Sequence, residues 1–278
     1  PAPYFDEKAS YRVEHQERSV TYYAEKKEVE VGVRCMMHPT ISCEQRQIVV
    51  KNNSSRRQTA QLLIYLEPTL SNHRDYSAHP AYSKLFVSAK YDEEARTLTF
   101  LRRDKDGTRS VYLTVGLLQQ STEFAFETHR EALMPAPGGF EHLKHFYKKK
   151  LSSSSANSEL GIPDACCALQ LDLHIPAGGQ QQVTLLLCAS RTEAEGVNSI
   201  IAMRKQGLLD ENTAATSPLL GDSLEGRLGS GILGQILFPQ RNNQEAKLRN
   251  QLGQSGLWPS GISGDYPIAL FRLEEGDG

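Results

Sequence analysis

The chain has 278 residues, of which 39% are hydrophobic and 23% charged, and its 31 basic and 33 acidic residues give a formal net charge of -2. This composition is typical of a globular protein and excludes a fibrous or disordered chain. The nearly balanced charge argues against a nucleic-acid partner. No stretch of about 18 apolar residues occurs, and residues 1–8 lack the basic and then apolar order of a signal peptide, so we expect no membrane contact.

The cysteines are sparse, odd in number and without C-x-x-C spacing. A disulfide framework or a zinc site usually shows paired, closely spaced cysteines. We therefore predict reduced, buried thiols, no metal site and a cytoplasmic location. The residues concerned are Cys35, Cys43, Cys166, Cys167 and Cys188.

In chain order, short apolar runs with a period of two extend over Val20–Ala189 and predict a mainly β protein with an antiparallel sandwich. The clearest run is Leu169–Ile175, with Leu and Ile on one face and Gln, Asp and His on the other. A turn at Pro176–Gly179 leads to Val183–Ala189, and together these segments predict a β-hairpin. The other predicted strands are Val29–Val33, Gln47–Val50, Gln61–Leu66, Leu85–Ala89, Thr97–Leu101, Val111–Gly116 and Glu123–Glu127.

The hydrophobic period changes near Arg191. Asp222–Phe238 places apolar residues three and four apart, which indicates an amphipathic helix, although its glycines weaken the pattern. Thr192–Lys205 and Asn242–Leu252 are further predicted helices. The sequence therefore predicts a β-sandwich domain over residues 1–190, followed by a helical linker over residues 191–278.

The segment Leu257–Ile268 contains the single tryptophan of the chain, Trp258, and a carboxylate, Asp265, followed by an aromatic ring. A carboxylate beside aromatic rings suits a sugar, because it accepts hydroxyl hydrogen bonds while a ring covers the apolar face. The same residues are also consistent with a turn in which Asp265 caps a helix.

Three motifs in the chain resemble those of one known family. Leu257–Ile268 is similar to L-W-x-x-G-I-S-G-D-x-P-I, and Tyr65–Glu67 with Ala78–Phe86 is similar to Y-x-E followed by H-P-A-F-x-x-L-F. Leu101–Arg103 and Phe126–Arg130 resemble an R-R pair and the motif F-E-T-D-R. In this order they resemble glycoside hydrolase family 94, formerly glycosyltransferase family 36.

The resemblance implies an antiparallel super-β-sandwich of the galactose-mutarotase type, a helical linker and an (α/α)6 barrel that carries the catalytic aspartate. We expect that barrel after residue 278, so this chain alone should be inactive and hold no catalytic residue. The family reaction is the inverting phosphorolysis of β-glucosides to glucose 1-phosphate. Inorganic phosphate is the co-substrate and no cofactor is needed, because phosphate is already an anionic nucleophile and one acid suffices.

By the same resemblance, Asp265 corresponds to the aspartate that binds the non-reducing glucosyl unit, with Trp258 and Ser263 beside it in the substrate site. Arg130 corresponds to a loop that reaches toward the barrel. After it, residues 133–136 replace the family's F-L-G-R, which favours a longer or differently linked glucan. The implied partners are a β-glucan oligosaccharide, the catalytic barrel of the same polypeptide and a second copy in a homodimer.

Several alternatives stay open at this point. The parent protein could be a soluble 1,2-β-oligoglucan phosphorylase or a cyclic β-1,2-glucan synthase. The chain could instead be a stand-alone carbohydrate-binding or assembly module, or a mutarotase-like enzyme. Arg102 and Arg103 could hold phosphate, hold a neighbouring loop or lie in solvent at a strand end. His79 could be a ligand or could fix its loop.

Overall fold

The structure is a computed structural model that describes residues 9–71, 84–102, 110–133, 151, 165–209, 212 and 214, and the backbone of 268–274. Its helices are α1 (Arg130–Leu133) and α2 (Glu193–Gln206). The strands are β1 (Ser10–His15), β2 (Val20–Lys26), β3 (Val29–Met37), β4 (Cys43–Asn52), β5 (Gln58–Leu66), β6 (Val87–Asp92), β7 (Thr97–Arg102), β8 (Val111–Leu117), β9 (Ala125–His129), β10 (Ala165–Ile175), β11 (Gln180–Ser190) and β12 (Ile268–Glu274).

These strands form two antiparallel sheets. The larger sheet has the order β1-β2-β3-β4-β11-β8-β7-β6, and the smaller has the order β12-β5-β10-β9. Alternate residues of both sheets bury apolar side chains in one shared core, among them Val31, Ile48, Leu62, Leu113 and Leu171. The predicted mainly β fold with an antiparallel sandwich is therefore confirmed.

The predicted hairpin of β10 and β11 is wrong, because the two strands belong to different sheets. β10 pairs with β5 and β9, whereas β11 pairs with β4 and β8. Their connection packs against the turn between β4 and β5: Asn52 Nδ2 donates to the carbonyl oxygens of Pro176 (3.0 Å) and Arg56 (2.7 Å). Gly178 adopts a positive φ of 62° in this corner, and its N–H donates to the carbonyl oxygen of Ser54 (3.0 Å).

Helix α2 confirms the helix predicted over Thr192–Lys205. Thr192 is its N-cap and its Oγ1 accepts a hydrogen bond from the N–H of Glu195 (3.2 Å). At the first turn Glu193 pairs with Lys90 of β6 (2.6 Å), and at the last residue the Gln206 side chain bonds to His38, which follows β3 (2.8 Å). The helix therefore crosses the outer face of the larger sheet.

Strand β12 lies within the segment predicted to be a helical linker. It pairs with β5 along the edge of the smaller sheet, with Ile268 opposite Tyr65. That part of the linker prediction is wrong for residues 268–274, which extend the sandwich. The helices predicted over Asp222–Phe238 and Asn242–Leu252 lie outside the described residues.

Two of the five cysteines are paired, contrary to the prediction. Cys43 of β4 and Cys188 of β11 are directly opposite in the register and form a disulfide. The pairing could not be seen from spacing, because 145 residues separate the two positions and only the fold makes their strands neighbours. Cys35, Cys166 and Cys167 are buried and form no disulfide, as expected. Within the described part of the chain, no helix has the length and hydrophobicity of a membrane span.

Candidate functional site

The ends of strands from both sheets meet at one end of the sandwich. β5 of the smaller sheet ends at Leu66, and the following segment contacts Arg102, the last residue of β7 in the larger sheet. Arg102 Nη1 donates a hydrogen bond to the carbonyl oxygen of Thr69 (3.2 Å), and its guanidinium lies 5.6 Å from the centre of the Phe86 ring. Of the roles considered for Arg102, the structure therefore shows the binding of a neighbouring loop.

A carboxylate, that of Glu67, joins three side chains at this end. Its Oε1 accepts hydrogen bonds from the Tyr65 hydroxyl and from Arg130 Nε (3.1 Å). Its Oε2 accepts from Lys84 Nζ. We call Tyr65, Glu67, Lys84 and Arg130 the Glu67 cluster. It brings together residues from all three segments Tyr65–Glu67, Ala78–Phe86 and Phe126–Arg130 of the sequence motifs.

The cluster lies at the surface of the sandwich without being fully exposed. The side chain of Glu67 is 11% exposed, that of Lys84 15% and that of Arg130 27%. Tyr65 is completely buried, whereas Leu85 is 50% exposed. Arg130 therefore extends from a buried anchor toward solvent.

The electrostatics of the cluster keep Glu67 ionised. Burial alone would raise the pKa of its carboxyl, but Lys84, the Tyr65 hydroxyl and Arg130 together outweigh burial and lower that pKa below its ordinary value. Burial, with Cys166 and Glu67 nearby, raises the pKa of Tyr65, so its hydroxyl stays a neutral donor. At neutral pH one carboxylate thus faces two cations within the cluster.

The residues before Arg130 fix the backbone from which its side chain extends. Phe126 is buried in the core, and Glu127, on the opposite face of β9, is also buried. Glu127 Oε1 accepts hydrogen bonds from the backbone N–H groups of Thr128 (2.8 Å) and His129 (3.0 Å). The Glu127 side chain thereby stabilises the backbone where β9 passes into α1, directly before Arg130.

The outer face of the smaller sheet changes character along its strands. Near the Glu67 cluster Tyr65 and Gln170 are buried on this face, and Gln170 Oε1 accepts from the N–H of Leu151 (2.8 Å). Farther along β10, Asp172 and His174 are exposed, as the alternating pattern predicts. The cluster therefore sits at the covered part of this sheet face, where water screens its charges less than it would at the exposed part.

Among the predicted site residues, the structure describes Arg130 and brings it into the Glu67 cluster. The sequence analysis did not assign a role to Glu67 or Lys84, although both lie in the quoted motifs. A charged residue directly after an apolar strand end, as at Glu67, was the available signal. The other candidate residues of the sequence analysis lie outside the described part of the chain: Asp265, Trp258, Ser263, His79 and Arg103.

Comparison with known proteins gives a family match over most of the chain. The sequence model of the glycosyl hydrolase 94 supersandwich domain matches residues 1–206. A cyclic β-(1,2)-glucan synthase, NdvB of Rhizobium meliloti (strain 1021), is 22% identical over 262 residues. That match covers 88% of this chain, and the chain spans only 9% of the length of that relative.

Solved structures also resemble the chain. A candidate kojibiose phosphorylase from the human microbiome matches with a TM-score of 0.40 and 5% identity, over 68% of this chain and 20% of that protein. A galactose mutarotase related enzyme from Lactobacillus acidophilus matches with a TM-score of 0.31 and 9% identity, over 66% of this chain and 72% of that protein.

Proposed function

This chain belongs to the glycosyl hydrolase 94 family through its supersandwich domain, and from that membership we propose that it is the non-catalytic sandwich and linker part of a β-glucan-active protein. The parent is a glycoside phosphorylase or a cyclic glucan synthase, and the chain contributes scaffold and carbohydrate recognition. The observation that carries the proposal is the convergence of three motif segments on the Glu67 carboxylate. The name of the NdvB relative favours a β-1,2-glucan as substrate.

Arg130 is the described residue best suited to contact the glucan. A guanidinium has five N–H donors in a planar arrangement, which suits the oxygen atoms of sugar hydroxyls. Its Nε–H is bound by Glu67, so the plane of the group is fixed while the side chain remains partly exposed.

Asp265, with Trp258 and Ser263, completes the proposed substrate site. Ile268 is opposite Tyr65 in the register of β12 and β5. Asp265 precedes Ile268 by three residues, a distance of at most about 11 Å along an extended chain, so it can reach the end of the sandwich that holds the Glu67 cluster.

In the parent protein the reaction is inverting phosphorolysis, with inorganic phosphate as co-substrate and the acid supplied by a separate catalytic barrel. The chain alone is inactive in this proposal. The proposal also includes contact with that barrel, a homodimer, and neither a nucleic-acid nor a membrane partner. The cytoplasmic location was inferred from reduced thiols, and the Cys43–Cys188 disulfide removes that argument, so the location stays a prediction.

The test incubates the full-length protein that carries this chain with inorganic phosphate and a panel of β-glucans, and measures glucose 1-phosphate. Formation of that product is expected, most strongly with β-1,2-glucans. Arg130→Ala and Asp265→Ala should each make the free energy of glucan binding less favourable by about 1.5–3 kcal/mol, the contribution of one charged hydrogen bond. Arg12→Ala, which removes an exposed arginine of β1, is the control and should leave the formation of glucose 1-phosphate unchanged. Absence of glucose 1-phosphate with every linkage would contradict phosphorolysis.

A calorimetric titration distinguishes the alternative of a stand-alone binding module. The 278-residue chain alone is titrated with β-1,2-glucooligosaccharides. The proposal expects little heat, because the barrel side of the site is missing. Clear saturation would favour the stand-alone module instead.

A further inference from the structure

Glu67 is a charged residue of the sequence motifs that has no direct role in the proposed reaction. It holds Arg130 Nε at 3.1 Å on Oε1, and the same oxygen accepts from the Tyr65 hydroxyl. Because Tyr65 is fully buried in β5, the carboxylate is itself anchored to the rigid sheet. A guanidinium bound through Nε has its plane and direction determined by the group that binds it.

The second oxygen of Glu67 ties a different segment to the same point. Lys84 Nζ donates to Oε2, and Lys84 precedes β6 in the larger sheet. Arg130, in contrast, follows β9 in the smaller sheet. One carboxylate thus connects the segment before β6 with the segment after β9, and the second of these carries the proposed glucan contact Arg130.

We propose that Glu67 is a positioning residue, which orients the Arg130 guanidinium toward the glucan and holds the Lys84 segment beside it. The part of this proposal that concerns glucan rests on the proposed function. The orientation of Arg130 by Glu67 does not, and it can be measured without any ligand. If the ion pair were purely structural, Glu67→Gln would lower the stability of the fold. It would leave the order parameter of the Arg130 guanidinium and the KM for glucan unchanged.

The first experiment measures the order of the Arg130 Nε–H bond by ¹⁵N relaxation in the 278-residue chain. In the wild type at neutral pH we expect an order parameter near that of a rigid group, about 0.85. Glu67→Gln, which keeps the shape and removes the charge, should lower it below about 0.6. Glu123→Gln is the matched control, because Glu123 is an exposed carboxylate paired with Arg96 (3.2 Å).

A second measurement needs no variant and therefore does not depend on whether Glu67→Gln folds. In the wild type the Arg130 order parameter should stay constant down to the ordinary carboxyl pKa, about 4.3. It should fall as the pH drops further and Glu67 becomes protonated. An order parameter that is low from the outset, or that is insensitive to both Glu67→Gln and acid, would overturn the proposal.

The kinetic arm uses the full-length protein and the most active β-glucan. Glu67→Gln should raise KM for glucan by about tenfold, the effect of a weakened charged hydrogen bond, with kcat within twofold of wild type. Glu123→Gln should leave both constants unchanged. If Arg130→Ala raises KM and Glu67→Gln does not, the positioning role is wrong while the proposed function stands. If Arg130→Ala also has no effect, the glucan contact in the proposed function is wrong, and the relaxation data alone decide on Glu67.

Discussion

Cys43 and Cys188 are cross-strand neighbours on β4 and β11 and form a disulfide beneath helix α2. Both are buried in a small apolar cluster with Ile200 and Met203 of the helix. The bond therefore joins two strands of the larger sheet at the place where α2 packs on it. A cytoplasm keeps most thiols reduced, so the redox state of this pair is directly informative about the compartment in which the protein folds.

The first prediction concerns this bond. Thiol titration of the unfolded, unreduced protein should find only the thiols of Cys35, Cys166 and Cys167, which lie outside the disulfide. Reduction should lower the free energy of unfolding by about 2–5 kcal/mol, because the disulfide closes a long loop in the unfolded chain. The double variant Cys43→Ala/Cys188→Ala should lose the sensitivity to reductant, whereas Cys167→Ala should keep it. Titration of all five thiols would contradict the pairing.

The second prediction concerns the close approach of α2 to the larger sheet. A Cβ at Gly196 would lie 2.3 Å from Thr114 Oγ1 and 2.9 Å from Ser190 Oγ, so Gly196→Ala must displace the helix or its neighbours. Alanine normally stabilises a helix by up to about 1 kcal/mol relative to glycine. Overpacking costs about 1–3 kcal/mol, so we expect net destabilisation in urea unfolding. Adding Thr114→Ala should restore part of the loss; an increase in stability from Gly196→Ala alone would refute the close contact.

The sequence predicted the elements whose signal is local. Alternating apolar residues identified the core strands, and the change of hydrophobic period near Arg191 indicated α2, which begins directly after Thr192. β1 was not predicted as a strand, because it is an edge strand with mostly exposed residues and little alternation. β2 was not predicted as a separate strand either, and only its first two residues are buried. The turn at Pro176–Gly179 was visible, but which strands pair beyond a turn depends on long-range packing. The hairpin prediction failed for that reason.

The candidate site shows the same division between local and long-range information. Arg130 was chosen from its motif and lies in the Glu67 cluster, and its role in substrate binding stays a prediction. The Glu67–Arg130 contact joins residues 63 positions apart, so no spacing rule predicts it. The contact arises because β5 and β9 both pair antiparallel with β10, which lies between them in the smaller sheet. The two strands therefore end at the same end of the sandwich.

The third prediction concerns a buried ion pair on β4. Arg46 Nε donates to Glu44 Oε1 (2.6 Å), and both side chains are almost fully buried. Burial opposes the charge of Arg46, but Glu44 more than offsets it and the pKa of Arg46 is raised. Arg46→Met should destabilise the protein by about 3–5 kcal/mol, because it leaves the Glu44 charge buried and unpaired.

A double variant separates the charge from the packing. Glu44→Leu/Arg46→Met removes both charges, and in urea unfolding it should be clearly more stable than Arg46→Met alone. An additive loss in the double variant would show that the two side chains contribute independently.

The fourth prediction is a pH dependence that originates at the end of α2. His38 Nδ1 accepts from the backbone N–H of Ile41 (2.9 Å) and Thr40 (3.2 Å), so the proton of the neutral ring is on Nε2, which donates to Gln206 Oε1 (2.8 Å). Burial lowers the pKa of His38, although Gln206 works in the opposite direction. The unfolded chain therefore binds the proton more tightly than the folded protein does.

The sign of the effect follows from that difference. The stability from neutral His38 is fully present above the ordinary histidine pKa of about 6.5, and it decreases as the pH falls below that value. The slope from this one group cannot exceed about 1.4 kcal/mol per pH unit. Urea unfolding between pH 7.5 and pH 5 should show the decrease in the wild type, and His38→Gln, which cannot take up a proton, should reduce it. An equal pH dependence in both proteins would show that the titration lies elsewhere, whereas the expected difference would assign the acid sensitivity of the α2 contact to one imidazole.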